Sequence, residues 1–356
     1  MSKFLNNRYQ SLEVYTPGEQ PQDMVYTKLN TNESPYPAAP QVVAAITKED
    51  IENLRLYSDP ECKPLIKKLA EVYDVEPENV FVANGSDDIL NFSFMAFSGE
   101  PGKVVFPDVT YGFYQVFADL HQIDATVVPL LDDFSIDYHQ YCNQNSMVVI
   151  ANPNAQVGRA LPLCQLDEII ATNQEHVVLI DEAYVDFGAE SCVPLTKKYH
   201  NLLVVQTFSK SRSMAGARLG FAIGSKELIE DLNRIKYSTN PYTVNRLTMA
   251  AGVAALEAQD YYLANAKKIQ EARNYTATSL ENLGFTVIPS QANFVFAAHE
   301  AIDGEVLYQE LKKRGILVRH FSSARICNFN RITIGTMEQM EHLVSAINSI
   351  LGGSCV

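Results

Sequence analysis

Seven short apolar runs constrain the fold of this chain more than any other feature of its sequence. They lie at 80–83, 103–106, 126–128, 147–150, 177–180, 202–205 and 219–223. The runs are rich in β-branched residues and continuous rather than alternating, which is typical of strands buried on both faces of a sheet. Helical patterns such as 87–97 and 111–120 separate several of them. The sequence therefore predicts an α/β fold with a mostly parallel sheet flanked by helices, over about 75–225.

The pattern changes after Pro241. The segment 244–283 is rich in Ala, Leu, Lys and Glu, so it predicts one or two long helices that end at Gly284. Short apolar runs then alternate with helical patterns. The runs lie at 286–288, 293–296, 316–318 and 331–334, and the helical patterns at about 304–314 and 337–351. This part of the chain predicts a smaller α+β domain.

Charge and cysteine usage exclude several classes of protein. The 28 basic and 42 acidic side chains give a net charge of −14, which disfavours non-specific binding to nucleic acid or to anionic membranes. No apolar run approaches the roughly 18–20 residues of a membrane helix, and the polar start lacks the apolar core of a secretory signal. The six cysteines form no CxxC motif and the histidines no HxxxH motif, so neither a metal site nor a disulfide framework is expected. A reducing cytoplasm is the expected location.

Polar residues follow five of the predicted strands, at 84–87, 107–112, 152–154, 181–184 and 207–210. In an open parallel sheet, ligands bind beyond the carboxyl ends of the strands. Together these loops supply hydroxyl groups, an aromatic ring, an amide, a carboxylate and an amine. Solvent-facing loops do not require such a combination, so the sequence predicts a ligand site at this edge of the sheet.

Each of these residues also has a purely structural interpretation. Ser86 could belong to a helix N-cap rather than to an anion site at a helix N-terminus. Tyr111 could be a core residue and Lys210 an ordinary surface lysine. Asp181 could be a metal-binding carboxylate of a nucleotide-binding protein, or the chain could be an NAD-dependent dehydrogenase. However, the chain contains neither the P-loop motif nor the GxGxxG motif, which excludes both of these classes.

The chemistry of pyridoxal phosphate requires all of these groups at once. This cofactor needs a lysine amine, a carboxylate that keeps its pyridine nitrogen protonated, a phosphate site with a cation and a flat residue over its ring. The protonated ring withdraws electrons from the carbanion that forms at the substrate Cα, and the same lysine is placed to move the Cα proton as a base.

The sequence from Thr207 to Arg218, TFSKSRSMAGAR, resembles the lysine signature of fold-type I pyridoxal-phosphate aminotransferases. Five further segments, in the same order along nearly the whole chain, are similar to segments of the histidinol-phosphate aminotransferase family. They are 28–35, 57–59, 84–87, 181–184 and 331–336. The resemblance implies a fold-type I PLP-dependent transferase with three parts. They are an N-terminal arm (1–30) that joins the small domain, a large PLP-binding domain (31–257) and a small C-terminal domain (258–356).

The resemblance also implies an activity. Members of this family transaminate L-histidinol phosphate with 2-oxoglutarate, giving imidazole-acetol phosphate and glutamate in histidine biosynthesis, and act as homodimers with shared active sites. Two related activities remain open: a general aromatic amino acid aminotransferase, and a PLP decarboxylase of a phosphorylated amino acid. A cofactor-sensing regulator is not expected, because the roughly 30 residues before the large domain leave no room for a DNA-binding module with a basic face.

Roles for the residues at the strand ends follow from the resemblance. Lys210 is implied to bind the cofactor covalently and to be the catalytic residue. Asp181 would pair with the pyridinium nitrogen, Tyr184 would reach the ring hydroxyl and Tyr111 would stack on the ring. The residues implied to surround the phosphate are Ser86, Asp87, Thr207, Ser209 and Arg218. Tyr57 is implied to reach a phosphate in the neighbouring subunit.

Two arginines are implied to hold the anionic end of the substrate. Arg319 and Arg331 each lie on or beside a short predicted strand of the small domain. Guanidinium groups bind carboxylate or phosphate through paired hydrogen bonds. Asn32 and Glu33, in the opening segment, are also implied to bind the substrate.

The loop at 152–158 departs from the family pattern. Family members usually have a Pro-Thr pair where this chain has Gln156 and Val157. The resemblance implies that an asparagine of this loop hydrogen-bonds the ring hydroxyl of the cofactor, and the departure leaves open which asparagine does so. We assign this role to Asn154 rather than to Asn152. Ser34, where relatives often carry Asn or Tyr, is a second departure, close to the substrate.

Overall fold

The computed structural model describes residues 2–10, 12–13 and 15–353. Its strands are β1 (Thr27–Lys28), β2 (Val80–Ala83), β3 (Lys103–Pro107), β4 (Asp124–Val128), β5 (Met147–Ala151), β6 (Val178–Asp181), β7 (Leu202–Thr207), β8 (Gly220–Gly224), β9 (Phe285–Ile288), β10 (Phe294–His299), β11 (Ile316–Leu317), β12 (Arg319–His320) and β13 (Phe329–Thr333). Its α-helices are α1 (Pro40–Ala45), α2 (Lys48–Glu52), α3 (Lys63–Tyr73), α4 (Ser86–Phe97), α5 (Phe113–His121), α6 (Leu163–Thr172), α7 (Lys226–Thr239), α8 (Arg246–Glu257), α9 (Gln259–Asn282), α10 (Gly304–Lys313) and α11 (Met337–Gly353).

Strands β2 to β8 form one central sheet, in the order β2-β8-β7-β6-β5-β3-β4. Neighbouring strands from β7 to β4 run parallel, whereas β8 is antiparallel to both β2 and β7. The predicted mostly parallel sheet is therefore confirmed. Its parallel strands bring their carboxyl ends to one edge, where the predicted polar loops lie.

Helices cover both faces of the central sheet. Side chains alternate along each strand, so Leu179 packs with the apolar residues of α4, α5 and α9, whereas the adjacent Ile180 packs with those of α3, α6 and α8. The prediction of burial on both faces is wrong for β4. This strand lies at the edge of the sheet with β3 as its one neighbour, and Val127 is 43% exposed.

A second, antiparallel sheet has the order β12-β13-β10-β9. The long helical segment before it divides into α8 and α9, and Gly284 follows α9 in the left-handed conformation (φ +89°), as predicted for a helix-ending glycine. Backbone hydrogen bonds connect this sheet to two neighbouring segments. In the loop between β9 and β10, the amide of Gln291 donates to the carbonyl of Gly158, in the loop that follows β5. The amide of Thr333, at the end of β13, donates to the carbonyl of Leu29, which follows β1.

The N-terminal segment joins the smaller sheet region through β1, which pairs in parallel with β11. The division of the chain at residues 30 and 257 stays a prediction. No helix in the described part of the chain is long and apolar enough to cross a membrane. The five described cysteines are free thiols, and Cys355 lies outside the described residues.

Candidate active site

Two connected cavities open at the carboxyl edge of the central sheet. The inner cavity is lined by Thr31, Glu33, Ser86, Asp87, Tyr111, Ala155, Asp181, Ala183, Tyr184, Thr207, Ser209, Lys210, Ala215 and Arg218. The outer cavity is lined by Tyr15, Thr16, Gly18, Asn30, Thr31, Asn32, Tyr111, Gly112, Gln156, Tyr184, Lys210, Arg319, Phe321 and Arg331. Most of the residues predicted from the strand ends thus converge on one place in the fold.

Lys210 lies between the two cavities and lines both. It follows β7 by three residues, and its Nζ donates to the carbonyl of Thr31 at 3.3 Å. The amine lies 5.7 Å from the ring centroid of Tyr184. Among the described residues Lys210 makes no ion pair, so its amine is available to a ligand in either cavity.

Asp181 is a buried carboxylate at the end of β6. It accepts hydrogen bonds from the hydroxyl of Tyr114 at 2.8 Å and from the amide of Ala183 at 3.1 Å. Burial nevertheless raises the pKa of Asp181 to about 6. Within the described part of the chain it has no ion-pair partner. A buried charge without a cationic partner is costly, so this carboxylate is matched to a ligand that brings a cationic N–H.

Other residues that line the inner cavity form an anion cradle. Helix α4 begins at Ser86, where its free backbone N–H groups and its dipole favour negative charge. The guanidinium of Arg218 lies beside Gly85, at the start of this helix, and forms an ion pair with Asp87 at 2.7 Å. Thr207 and Ser209 add hydroxyl groups that lie 3.0 Å apart. These are the residues that the sequence assigned to a phosphate.

Two tyrosines that line the inner cavity, Tyr111 and Tyr184, are held by hydrogen bonds. The hydroxyl of Tyr111 donates to Asp87 at 2.7 Å. Burial and then the nearby Asp87 carboxylate raise the pKa of Tyr111. The hydroxyl of Tyr184 accepts a hydrogen bond from the amide of Asn32 at 3.0 Å. Both rings are therefore fixed by partners that lie far away in the sequence.

The structure does not place Asn154 in either cavity. Its amide nitrogen donates to the carbonyl of Val109 at 2.8 Å, and its Oδ1 accepts from the backbone of Gln156 and of Val157 at 2.9 and 3.1 Å. The amide of Asn154 is thus engaged in holding its own loop, and its assignment to the ring hydroxyl of the cofactor stays a prediction. Ala155 lines the inner cavity in its place.

Tyr57 also lies outside both cavities. Its side chain is 79% exposed and stacks on Tyr242, with the ring centroids 4.5 Å apart. It therefore does not reach the cavities of its own chain. An exposed ring of this kind is compatible with the predicted contact to a neighbouring subunit, which stays a prediction.

Arg319 and Arg331 face each other in the pairing of β12 with β13. Arg331 donates to the carbonyl of Ala155 at 2.8 Å and is partly buried, and burial lowers its pKa. Arg319 donates to the carbonyls of Thr16 and Pro17 at 2.9 and 3.1 Å. Neither arginine forms an ion pair with a carboxylate among the described residues, so the outer cavity carries two uncompensated positive charges.

The other two predicted substrate residues occupy different positions. Asn32 is buried, has a left-handed backbone (φ 56°) and lines the outer cavity. Its Oδ1 accepts from the hydroxyl of Thr333 at 3.0 Å. Glu33 lines the inner cavity but forms an ion pair with Lys28 at 2.7 Å. Its charge is thus neutralised within the chain.

Two aromatic residues of the site were missed by the sequence analysis. Tyr15, in the N-terminal arm, lines the outer cavity and packs against Phe113 with the ring centroids 4.3 Å apart. Tyr114 holds Asp181 from the first turn of α5. Tyr15 is an isolated aromatic in a polar segment, which gives no signal. Tyr114 lies three residues after Tyr111, which precedes α5, and their ring centroids are 5.8 Å apart.

The fold and site are those of an aminotransferase. Residues 25–347 match the family model of aminotransferases of class I and II, and the chain belongs to this family. The family prediction made from the ordered motifs is thereby confirmed.

Relatives with known names are similar over almost the whole chain. The chain is 50% identical over 352 residues to the histidinol-phosphate aminotransferase of Brachyspira hyodysenteriae, with 99% of both chains covered. It is 48% identical over 351 residues to that of Clostridium acetobutylicum, covering 99% of this chain and 100% of the relative. The solved histidinol-phosphate aminotransferase of Sinorhizobium meliloti, in complex with pyridoxal-5'-phosphate, superposes with a TM-score of 0.86. It is 23% identical, with 98% of this chain and 99% of that one covered, and it confirms the fold class.

The buried carboxylate predicts a pH dependence of stability in the cofactor-free protein. The pKa of Asp181 is about 6 in the folded state against an ordinary value of 3.8. The folded state therefore binds more protons between these values, and the contribution of Asp181 to stability falls as pH rises from about 4 to about 6, by about 3 kcal/mol. The Asp181→Asn variant should lose this dependence, measured as the free energy of unfolding in urea at a series of pH values.

The same substitution at the exposed Asp132 is the matched control and should leave the pH profile of the wild type unchanged. Parallel profiles for the wild type and for Asp181→Asn would contradict the prediction.

Gly220 predicts a second stability effect, at the anion cradle. A methyl group added at Gly220 would lie 2.4 Å from the amide nitrogen of Ser86, whereas one added at Gly216 would have no neighbour within 4 Å. Gly220→Ala should therefore push β8 from the start of α4, destabilise the protein by about 1–3 kcal/mol and weaken cofactor binding. Gly216→Ala, the control, should change stability by less than about 0.5 kcal/mol. Thermal unfolding and a cofactor titration measure both effects, and equal behaviour of the two variants would refute the argument.

Proposed function

We propose that this chain is a pyridoxal-phosphate-dependent aminotransferase that converts L-histidinol phosphate and 2-oxoglutarate to imidazole-acetol phosphate and glutamate, a step of histidine biosynthesis. The observation that carries this proposal is that two cavities meet at one lysine. Lys210, which forms no ion pair among the described residues, lines both of them. The inner cavity contains a buried carboxylate and the anion cradle, and the outer cavity contains two arginines. The named relatives at 50% and 48% identity support the same activity.

The inner cavity fits pyridoxal phosphate on the chemistry of its residues. Asp181, which has no cationic partner in the described part of the chain, would hold a proton at the pyridine nitrogen. The start of α4 and Arg218 would hold the phosphate. When bound, the cofactor withdraws electrons from the bond that breaks at the substrate Cα. Lys210 would bind the cofactor covalently and, once released by the substrate, move the Cα proton.

The outer cavity favours a substrate that is anionic at its far end. Histidinol phosphate carries no carboxylate, so its phosphate must be the group that Arg331 binds, and glutamate must present a carboxylate to the same place. Guanidinium groups bind both anions, and the dianionic phosphate more strongly. The absence of a carboxylate on the substrate Cα also means that transamination, rather than decarboxylation, is the reaction this substrate can undergo.

The proposed active form is a homodimer. Large apolar side chains are exposed within the short stretch from 43 to 57, where Val43 is 71% and Ile51 is 55% exposed. Contiguous exposed apolar surface is typical of protein interfaces. Tyr57 lies at the end of this stretch and would reach the phosphate of the partner's cofactor. The free thiols of the described cysteines suit the proposed location in the cytoplasm.

The proposed substrate is tested with a panel of amino donors scored by kcat/KM. The panel contains histidinol phosphate, histidinol, histidine, phenylalanine and tyrosine. Loss of the phosphate removes charge-assisted hydrogen bonds worth about 1.5–3 kcal/mol, so histidinol should be roughly ten- to a hundred-fold poorer than histidinol phosphate. If phenylalanine or histidinol matches histidinol phosphate, a general aromatic aminotransferase is the better conclusion.

Shared active sites are tested by mixing two inactive variants. In a heterodimer of Tyr57→Ala and Lys210→Ala, one site should contain both lesions and the other should be intact, so activity should return toward half of the wild-type value per heterodimer. Lys210→Ala mixed with Asp181→Asn is the control. Both residues line the inner cavity of their own chain, so this mixture should stay inactive. A lack of recovery in the first mixture, with subunit exchange verified, would show that Tyr57 does not act across the interface.

A further inference from the structure

Gln156 occupies the loop position at which this chain departs from the usual sequence of its family. The structure shows that the backbone of this residue takes part in the hydrogen bonds by which Asn154 holds the loop. The backbone N–H of Gln156 donates to Oδ1 of Asn154 at 2.9 Å, a hydrogen bond that a proline at this position has no N–H to form. The backbone of Gln156 is therefore fixed, and its side chain lines the outer cavity.

The side chain of Gln156 contacts the arginine of the proposed substrate site. Its Oε1 accepts from Nη1 of Arg331 at 3.1 Å, and the same nitrogen donates to the carbonyl of Ala155 at 2.8 Å. The guanidinium also lies 5.3 Å from the ring centroid of Phe294 and 5.5 Å from that of Phe321. Nη1 is thus occupied by two acceptors, whereas Nη2 has no hydrogen-bond partner among the described residues.

The charge of the residue that hydrogen-bonds Arg331 determines how strongly the arginine can bind an anionic ligand. A carboxylate in this position would form an ion pair with the guanidinium and compete with an incoming anion. An amide oxygen accepts the hydrogen bond without neutralising the charge. The neighbouring Arg319 is likewise bonded to uncharged carbonyls, those of Thr16 and Pro17. Both cations are therefore oriented by neutral acceptors, and neither forms an ion pair among the described residues.

We propose that Gln156 is a positioning residue for Arg331, which it orients toward the outer cavity through a neutral acceptor so that the guanidinium binds the anionic end of both substrates. The inference rests on the proposed function for the identity of the two substrates. It assigns Gln156 to anion binding, so its removal should affect KM rather than kcat.

The test uses the holoenzyme and two substitutions at this position. Gln156→Met keeps the length of the side chain without the acceptor, and Gln156→Glu adds a competing carboxylate. Gln156→Met should raise KM for histidinol phosphate and for glutamate about ten-fold, the effect of one hydrogen bond to a charged group, with kcat within two-fold of the wild type. Gln156→Glu should raise both KM values further, by about a hundred-fold.

Controls separate positioning from general effects of charge and folding. Gln174→Glu adds the same charge at an exposed position and should leave KM unchanged. In an Arg331→Met background, Gln156→Met should have no further effect, because the two residues act as one unit. Additive effects of the two substitutions would overturn the proposal, as would unchanged KM values or a loss confined to kcat.

Binding of 2-oxoglutarate to the holoenzyme, measured by calorimetry, makes the result independent of the amino donor. The dissociation constant should rise in the order wild type, Gln156→Met, Gln156→Glu, and an unchanged constant would refute the role of Gln156. If the wild type fails to transaminate histidinol phosphate but the dissociation constants follow this order, the proposed function is wrong and the role of Gln156 stands.

Discussion

The parallel alignment of β5, β6 and β7 is the constraint on which the rest of this molecule depends. Strands that lie side by side in one direction end at one edge, and each of these strands is apolar up to its last residues. The polar residues that follow the strands therefore lie close together because of the strand alignment itself. The cost is that a carboxylate such as Asp181 is desolvated by the sheet that positions it, which makes it a strong partner for a cationic ligand.

The two cavities handle charge in opposite ways. In the inner cavity the cation Arg218 is already paired with Asp87, so the cradle is close to neutral before a phosphate arrives. In the outer cavity Arg319 and Arg331 lie side by side without a carboxylate partner in the described part of the chain. A resident group is held by shape and many hydrogen bonds, whereas substrates that come and go are attracted by uncompensated charge. This local positive charge exists within a chain whose net charge is −14.

The sequence predicts the strands and the polar strand ends, because these follow from local periodicity and from the geometry of parallel sheets. The two arginines are implied by the resemblance to the family. The sequence does not predict contacts that tertiary packing decides. Tyr15 meets Phe113 across almost a hundred residues, and no pattern in the arm marks it. The role of Asn154 depends on which neighbours its amide reaches within a tight loop, and two asparagines two residues apart cannot be distinguished by type. The exposed face of β4 depends on its place at the sheet edge, which the order of the strands in space determines.

Arg319 fastens the N-terminal arm through the carbonyls of Thr16 and Pro17 rather than through their side chains. A backbone carbonyl is present whatever residue occupies the position. The arm can therefore accumulate substitutions at these two positions over evolutionary time and still be held against the outer cavity. Tyr15, next to this fastening, packs on Phe113 and lines the outer cavity. A change of side chain at this position would therefore alter the shape of the outer cavity and leave the central sheet untouched.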